Sequence, residues 1–408
     1  MNLPYHFLGF ILLYSLSPTT ALGTEGERGA RWNLRALYQA PKVYDDPGRS
    51  VDGVRALFYE GLPWKGKPTH VFAYYGAPKT EPGKKVPAMV LVHGGGGSAY
   101  IPWVKLWVSR GYAAIAMDTC GCVSSGGFQE HPRHADGGPP GWDASFTQLD
   151  EGIQDQWTYH AVADIILANS LIRSFPEVDS QRIGLTGISW GGYLACITSG
   201  VDARFRFVAP VYGCGFLGDN SVWGDSFHAM GEEKAKRWLG LWDPSVYLPK
   251  TKMPMLWVTG PNDFAYPMDS LQKSYRLPSS ARTLSIRPGM AHGHGGPGEN
   301  PEEIHAMADA LFKGGSPLTM VTSQGRNGDT VWLTFAGSRP IAKIELNYTQ
   351  DLGPWQTRVW KNIPAGVDLR RGQADAILPK GTTVYFFNII DDRGLVASSE
   401  HVAVTARG

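Results

Sequence analysis

One serine in this chain stands where a nucleophile would. Ser189 lies between Gly187 and Gly191 in "RIGLTGISWGGYLACITSG". The run before it reads as a short buried strand and the run after it as the start of a helix, with Gly191 and Gly192 in the first turn. Such a corner needs glycine where a Cβ would strike strand, helix or loop, and it presents the serine hydroxyl at the helix N-terminus. In a chain with 50 glycines among 408 residues the Gly-x-Ser-x-Gly pattern alone is weak, so its context must carry the inference.

A serine hydroxyl attacks only when a base takes its proton, and the base needs an orienting acid. Asp263, in "WVTGPNDFAYP", follows one apolar strand, and His292, in "IRPGMAHGHGG", follows the next. In an open parallel sheet ligands gather beyond the carboxyl ends of the strands, and all three residues fall there in the order Ser, Asp, His. His294 is an alternative base, and Asp219 or Asp225 an alternative acid. The run "LVHGGGG", at another strand end, offers an oxyanion site: the N–H of Trp190 as one donor and that of Gly95 or Gly96 as the other. No Gly-Lys-Ser/Thr follows, so it is not a phosphate loop. His93 is read as ordering this loop.

The elements that must position these residues alternate. Strands are expected in "GVRALFYEGL", "HVFAYYGAP", "AMVLVHGGGG", "YAAIAMDT", "RIGLTGIS", "FRFVAPVYG", "MPMLWVTG" and "TLSIRPG". Helices are expected in "WVKLWVSRG", "GGYLACITSG", "PEEIHAMADALF", between the last two strands, and as a long amphipathic segment from Ile153. That alternation makes a mostly parallel, doubly wound α/β sheet. Beyond Gly314 six or seven short strands follow with no convincing helix, which suits a small immunoglobulin-like β-sandwich. The expected organisation is a leader over 1–23, an extension with the first strands over 24–85, a catalytic core over 86–316 and a sandwich over 317–408.

With these residues in place, the segment from about 86 to 316 resembles the α/β-hydrolase superfamily, and within it the dienelactone hydrolase and acetylxylan esterase-like branch. The resemblance rests on "HGGGG", "MDTCGCVSSGG", "GISWGG", "TGPNDFAYP" and "GMAHGH" in that order. It implies a serine esterase that forms an acyl-enzyme, needs no cofactor or metal, and acts on a small-molecule or polysaccharide ester. A prolyl oligopeptidase-type peptidase and a non-catalytic binding protein are the rival readings. The sandwich lies outside the resemblance and is expected to be a spacer or sugar-binding module whose removal spares small-ester hydrolysis.

Composition narrows the rest. Lysine plus arginine (38) nearly cancels aspartate plus glutamate (37), so no net field recruits nucleic acid or an anionic surface. The apolar run Phe7 to Leu16, followed by "ALG", is too short to span a bilayer and resembles a secretory signal, although no lysine or arginine precedes it. Export to the periplasm or beyond is expected. Four cysteines allow three fully paired connectivities; Cys120 and Cys122 are too close for an easy bridge, and Cys196 and Cys214 read as buried thiols. His131, His134 and Asp136 read as a surface loop rather than metal ligands. Glu151 and Asp155 read as a solvated helix face. Residues 119–150 and 213–250, the latter with Trp223, Trp238 and Trp242, are the insertions expected to shape the site.

Overall fold

Uninterrupted apolar runs need cover on both faces, and in the computed structural model, which describes residues 31–124 and 131–404, they become the middle of one large sheet. Its strands are β1 (Val43–Asp45), β2 (Arg55–Glu60), β3 (His70–Gly76), β4 (Val86–Val92), β5 (Ala113–Met117), β6 (Val178–Ile188), β7 (Phe207–Val211), β8 (Met255–Thr259) and β9 (Arg282–Ile286). They lie in the order β1-β2-β3-β5-β4-β6-β7-β8-β9. The pairings from β1 through β3 to β5 are antiparallel, and those from β5 to β9 are parallel. The carboxyl ends of β4, β6, β8 and β9 therefore share one rim, as the alternation of elements requires.

Two helical regions differ from the sequence reading. The long helix spans Trp157–Ser174, and residues 153–155 ahead of it form a separate short turn. It is buried continuously from Trp157 to Ile172 rather than amphipathic, because residues 142–155 and the short helix Leu34–Leu37 pack over it. The stretch after β7, where no helix is expected from the sequence, holds the helices Leu217–Asn220, Gly224–Met230 and Glu232–Trp242.

The C-terminal strands are β10 (Met320–Asn327), β11 (Thr330–Ala336), β12 (Ile341–Thr349), β13 (Lys361–Pro364), β14 (Gly366–Asp368), β15 (Gln373–Ile377), β16 (Val384–Asp391), β17 (Val396–Ser398) and β18 (Val402–Ala403). One sheet runs β10-β11-β15-β14 and the other β13-β12-β16-β17, with β18 also on β16; every pairing is antiparallel. Val331, Leu333 and Ala374 from the first sheet meet Ile344, Leu346 and Phe387 from the second in a shared core. This is the expected β-sandwich, with nine strands among the described residues in place of six or seven.

The sandwich lies along β9, the edge of the large sheet. The Ile286 N–H donates to Ser398 Oγ at 2.8 Å, and Asn388 Nδ2 donates to Ile286 O at 3.0 Å. Nearby, the Val396 N–H donates to Glu303 Oε1 at 2.9 Å, and Glu400 pairs with Arg276 and Arg282. The expected secretory leader lies outside the described residues. Among the described residues no helix is long and apolar enough to cross a membrane.

Candidate active site

Ser189 sits at the junction of β6 and the helix Trp190–Ser199 with φ 56° and ψ −117°, a conformation that ordinary side chains avoid. The neighbouring glycines make it possible. A Cβ on Gly187 would stand 2.2 Å from Gly191 O, and one on Gly191 would stand 2.1 Å from Val92 O. Both obstacles are backbone, so neither can move aside. The corner thus packs directly on the end of β4, where the glycine-rich loop begins.

His292 Nδ1 lies 2.7 Å from Asp263 Oδ2. Asp263 is buried, and its other oxygen accepts the N–H groups of Ala265 at 3.0 Å and Tyr266 at 2.8 Å, which leaves Oδ2 for the imidazole. Two rings hold His292 flat: Tyr212 stacks on it at 4.3 Å and Phe264 lies against it at 4.6 Å. The Tyr212 hydroxyl also donates to Ala291 O and Gly293 O, both at 3.2 Å, and burial raises its phenol above the ordinary range. Asp219 is instead paired with Lys273 at 2.5 Å, and Asp225 is exposed on the helix Gly224–Met230.

His294 turns to a different partner. Its Nε2 accepts the Gly94 N–H at 3.0 Å while Nδ1 faces Glu299 Oε1 at 3.2 Å. His93 supports the same loop from within: Nδ1 meets Gly94 O at 2.7 Å and Nε2 accepts the Thr119 N–H at 3.0 Å. Burial lowers its pKa, which keeps the ring neutral and suits one donor and one acceptor nitrogen. Gly95 has no room for a side chain, because a Cβ there would meet Trp142 Nε1 at 2.4 Å.

Ser189, His292 and His294 open with Gly94, Gly95 and Gly96 onto one cavity of about 630 Å³. Ile188, Trp142, Trp190, Val222, Trp223, Phe264 and Ala265 add an apolar wall, and among the described residues no aspartate, glutamate, lysine or arginine lines the cavity. Trp142 stacks on Trp190 at 5.3 Å, and Trp223 meets Trp190 edge-on at 4.6 Å. Trp238 and Trp242 do not reach the cavity. They are buried, donating to Ser145 O and Gln156 Oε1.

The remaining sequence candidates lie elsewhere. The His134 ring packs on Phe58 at 5.1 Å, and Asp136 faces His70 at 3.3 Å. Glu151 and Asp155 both hold the turn at Lys65. All four cysteines are free thiols. Sequence reasoning missed Trp142, Tyr212, Phe264 and Glu299, although Phe264 adjoins Asp263 and Trp142 lies in an insertion already expected to shape the site.

The family model for acetyl xylan esterase (AXE1) matches residues 51–222, and that of the prolyl oligopeptidase family matches residues 147–314. Among solved structures, an acetyl xylan esterase from Paenibacillus sp. R4 is 24% identical, with a TM-score of 0.55 over 69% of this chain and 92% of its own. Acetyl xylan esterase 1 from Thermoanaerobacterium sp. JW/SL YS485 is 22% identical, with a TM-score of 0.52 over 65% of this chain and 88% of its own. The chain has the α/β-hydrolase fold with a C-terminal β-sandwich, and the acetyl xylan esterase match over residues 51–222 marks it as a serine carboxylic-ester hydrolase.

Proposed function

We propose that Ser189, His292 and Asp263 form the catalytic triad of an exported esterase that works through an acyl-enzyme. The observation that carries this reading is the 2.7 Å contact between His292 and Asp263 beside a serine held at positive φ in the same cavity. Ser189 Oγ attacks the ester carbonyl carbon as His292 Nε2 takes its proton. Asp263 fixes the tautomer, because its contact at Nδ1 leaves Nε2 as the basic nitrogen. When the carbon–oxygen bond breaks, the imidazolium returns the proton to the departing alcohol. Water then attacks the acyl-serine by the same route and releases the acid.

The N–H of Trp190, with that of Gly95 or Gly96, would bind the oxyanion. Gly94 is unsuited to that role because its N–H is already given to His294.

Acylated carbohydrate, bearing acetyl or feruloyl groups, is the proposed substrate class. The four-ring wall of Trp142, Trp190, Trp223 and Phe264 favours the larger, aromatic acyl group, since an acetyl group would leave most of 630 Å³ unfilled. The apolar run near the N-terminus supports export. A second reading, cleavage of peptides, is favoured by the prolyl oligopeptidase family match over residues 147–314.

A panel of p-nitrophenyl acetate, longer acyl esters, acetylated xylan, a feruloyl ester and an aminoacyl anilide, run beside Ser189→Ala, separates these readings. Serine-dependent release from esters is expected. Release from the anilide alone would move the activity to peptides, and equal ester turnover by Ser189→Ala would remove the triad.

A further inference from the structure

The loop that carries Asp263 is gripped from the C-terminal sandwich. Asn262 Nδ2 lies 2.8 Å from Arg358 O, 3.1 Å from Trp355 O and 3.3 Å from Gln356 O. On the other side of Asp263, Gln356 Nε2 donates to Phe264 O at 3.4 Å. The residues immediately before and after Asp263 are therefore both tied to one short turn, residues 355–358.

That turn is itself fixed. The Val359 N–H donates to Asp351 Oδ2 at 2.6 Å, and Arg358 Nε donates to Gly353 O at 2.9 Å. The Arg358 guanidinium lies 3.9 Å over the Trp355 ring, which also meets His401 at 5.1 Å. An amide that supplies two protons to three preset carbonyls has little freedom, so the position of Asn262 is determined from outside the hydrolase sheet.

We infer that Asn262 is a positioning residue, and that the turn 355–358 clamps the acid loop so that the sandwich belongs to the catalytic unit. This inference rests on the triad reading of Ser189, His292 and Asp263. The clamp sets where Asp263 Oδ2 meets His292 and where the Phe264 ring meets the same imidazole. A misplacement of about 1 Å at a reacting centre costs on the order of 100-fold in rate. Attachment of the sandwich does not depend on the clamp, because Ser398, Asn388, Glu303 and Glu400 hold it along β9. Loss of the Asn262 amide therefore tests geometry rather than cohesion.

The test uses the full chain with Asn262→Ala, Asn262→Asp and Gln356→Ala beside Asp263→Asn, measuring kcat and KM on a p-nitrophenyl ester, thermal unfolding, and the downfield N–H proton resonance of the His–Asp pair. Asn262→Ala should lower kcat about 10- to 100-fold, with KM within about twofold, a weakened or shifted resonance and little change in Tm. Asn262→Asp, which sets a carboxylate against three carbonyls, should lose more. Gln356→Ala removes only the weaker contact and should lower kcat a few-fold, which keeps the test intact if an Asn262 variant does not fold. Wild-type kcat and an unmoved resonance in folded Asn262→Ala would overturn the clamp, as would kcat, KM and Tm falling together. Wild-type turnover by Asp263→Asn would instead overturn the triad beneath it.

Discussion

His294 Nε2 accepts the Gly94 N–H at 3.0 Å, two residues beyond the imidazole that meets Asp263. Two histidines of one turn thus face different tasks, one paired with the acid and one bracing the loop beside the serine. His294→Ala should lower kcat about 10-fold by loosening the glycine-rich loop proposed to bind the oxyanion, well short of the loss of a donor itself. It should still label at Ser189 with a fluorophosphonate. His292→Ala should abolish both turnover and labelling, and the reverse pattern would exchange the two roles.

The aromatic wall makes a prediction about selectivity. Trp142→Ala removes the ring stacked on Trp190 and opens the space over Gly95. The ratio of kcat/KM for an aryl ester to that for an acetyl ester should fall about 10-fold, within the 1–3 kcal/mol that pocket contacts commonly supply. Equal losses on both substrates would mean that Trp142 shapes the loop rather than the acyl site.

The corner itself can be tested by adding one carbon. Gly191→Ala would press a Cβ against Val92 O and His93 O, at 2.1 and 2.5 Å, and no side chain can rotate to relieve it. A destabilisation of at least about 3 kcal/mol is expected from this overpacking, read by denaturant unfolding or as failure to accumulate folded protein. Gly224→Ala, with nothing within 4 Å, is the control that should fold normally.

Stability should fall on acidification. Burial holds His160 and His401 down at about 4 and His305 at about 3, from an ordinary 6.5. As pH drops below about 6.5 the unfolded chain takes up protons that the folded chain refuses, so stability declines towards pH 4 and is level above about pH 7. His401 packs on Trp355, at the base of the clamp. His401→Phe keeps a ring there and should flatten the dependence of Tm on pH. An unchanged slope would assign the acid sensitivity to the other buried histidines, His93 among them.

Much of the candidate site could be proposed from the sequence because its constraints are local. The corner at Ser189 is a requirement of five residues on one another, and Asp263 and His292 announce themselves by following buried strands. The supports were not legible, because each depends on a partner far along the chain. Tyr212 stacks on a ring 80 positions later, and the carbonyls that hold Asn262 begin 93 positions later and carry no side-chain signature. Tryptophan count likewise could not separate Trp223, on the cavity, from Trp238 and Trp242, in the core. The long helix read as amphipathic because its polar residues were assigned to solvent. Several are buried and bonded instead, as Ser170 is to Leu37 O and Asn169 is to Asp202.

The seam along β9 also bears on how the protein tolerates cleavage. A parallel sheet ends in a strand with unspent N–H and C=O groups, and such an edge pairs readily with another chain. Here the Ile286 N–H and C=O are both taken by side chains of the sandwich, and Leu284 and Ile286 are buried. A protease that cut the connection at 314–319 and released the sandwich would uncover a strand edge ready to pair with a second molecule. The C-terminal sheets thus act as a sheath for that edge, and the stripped fragment should leave solution as aggregate.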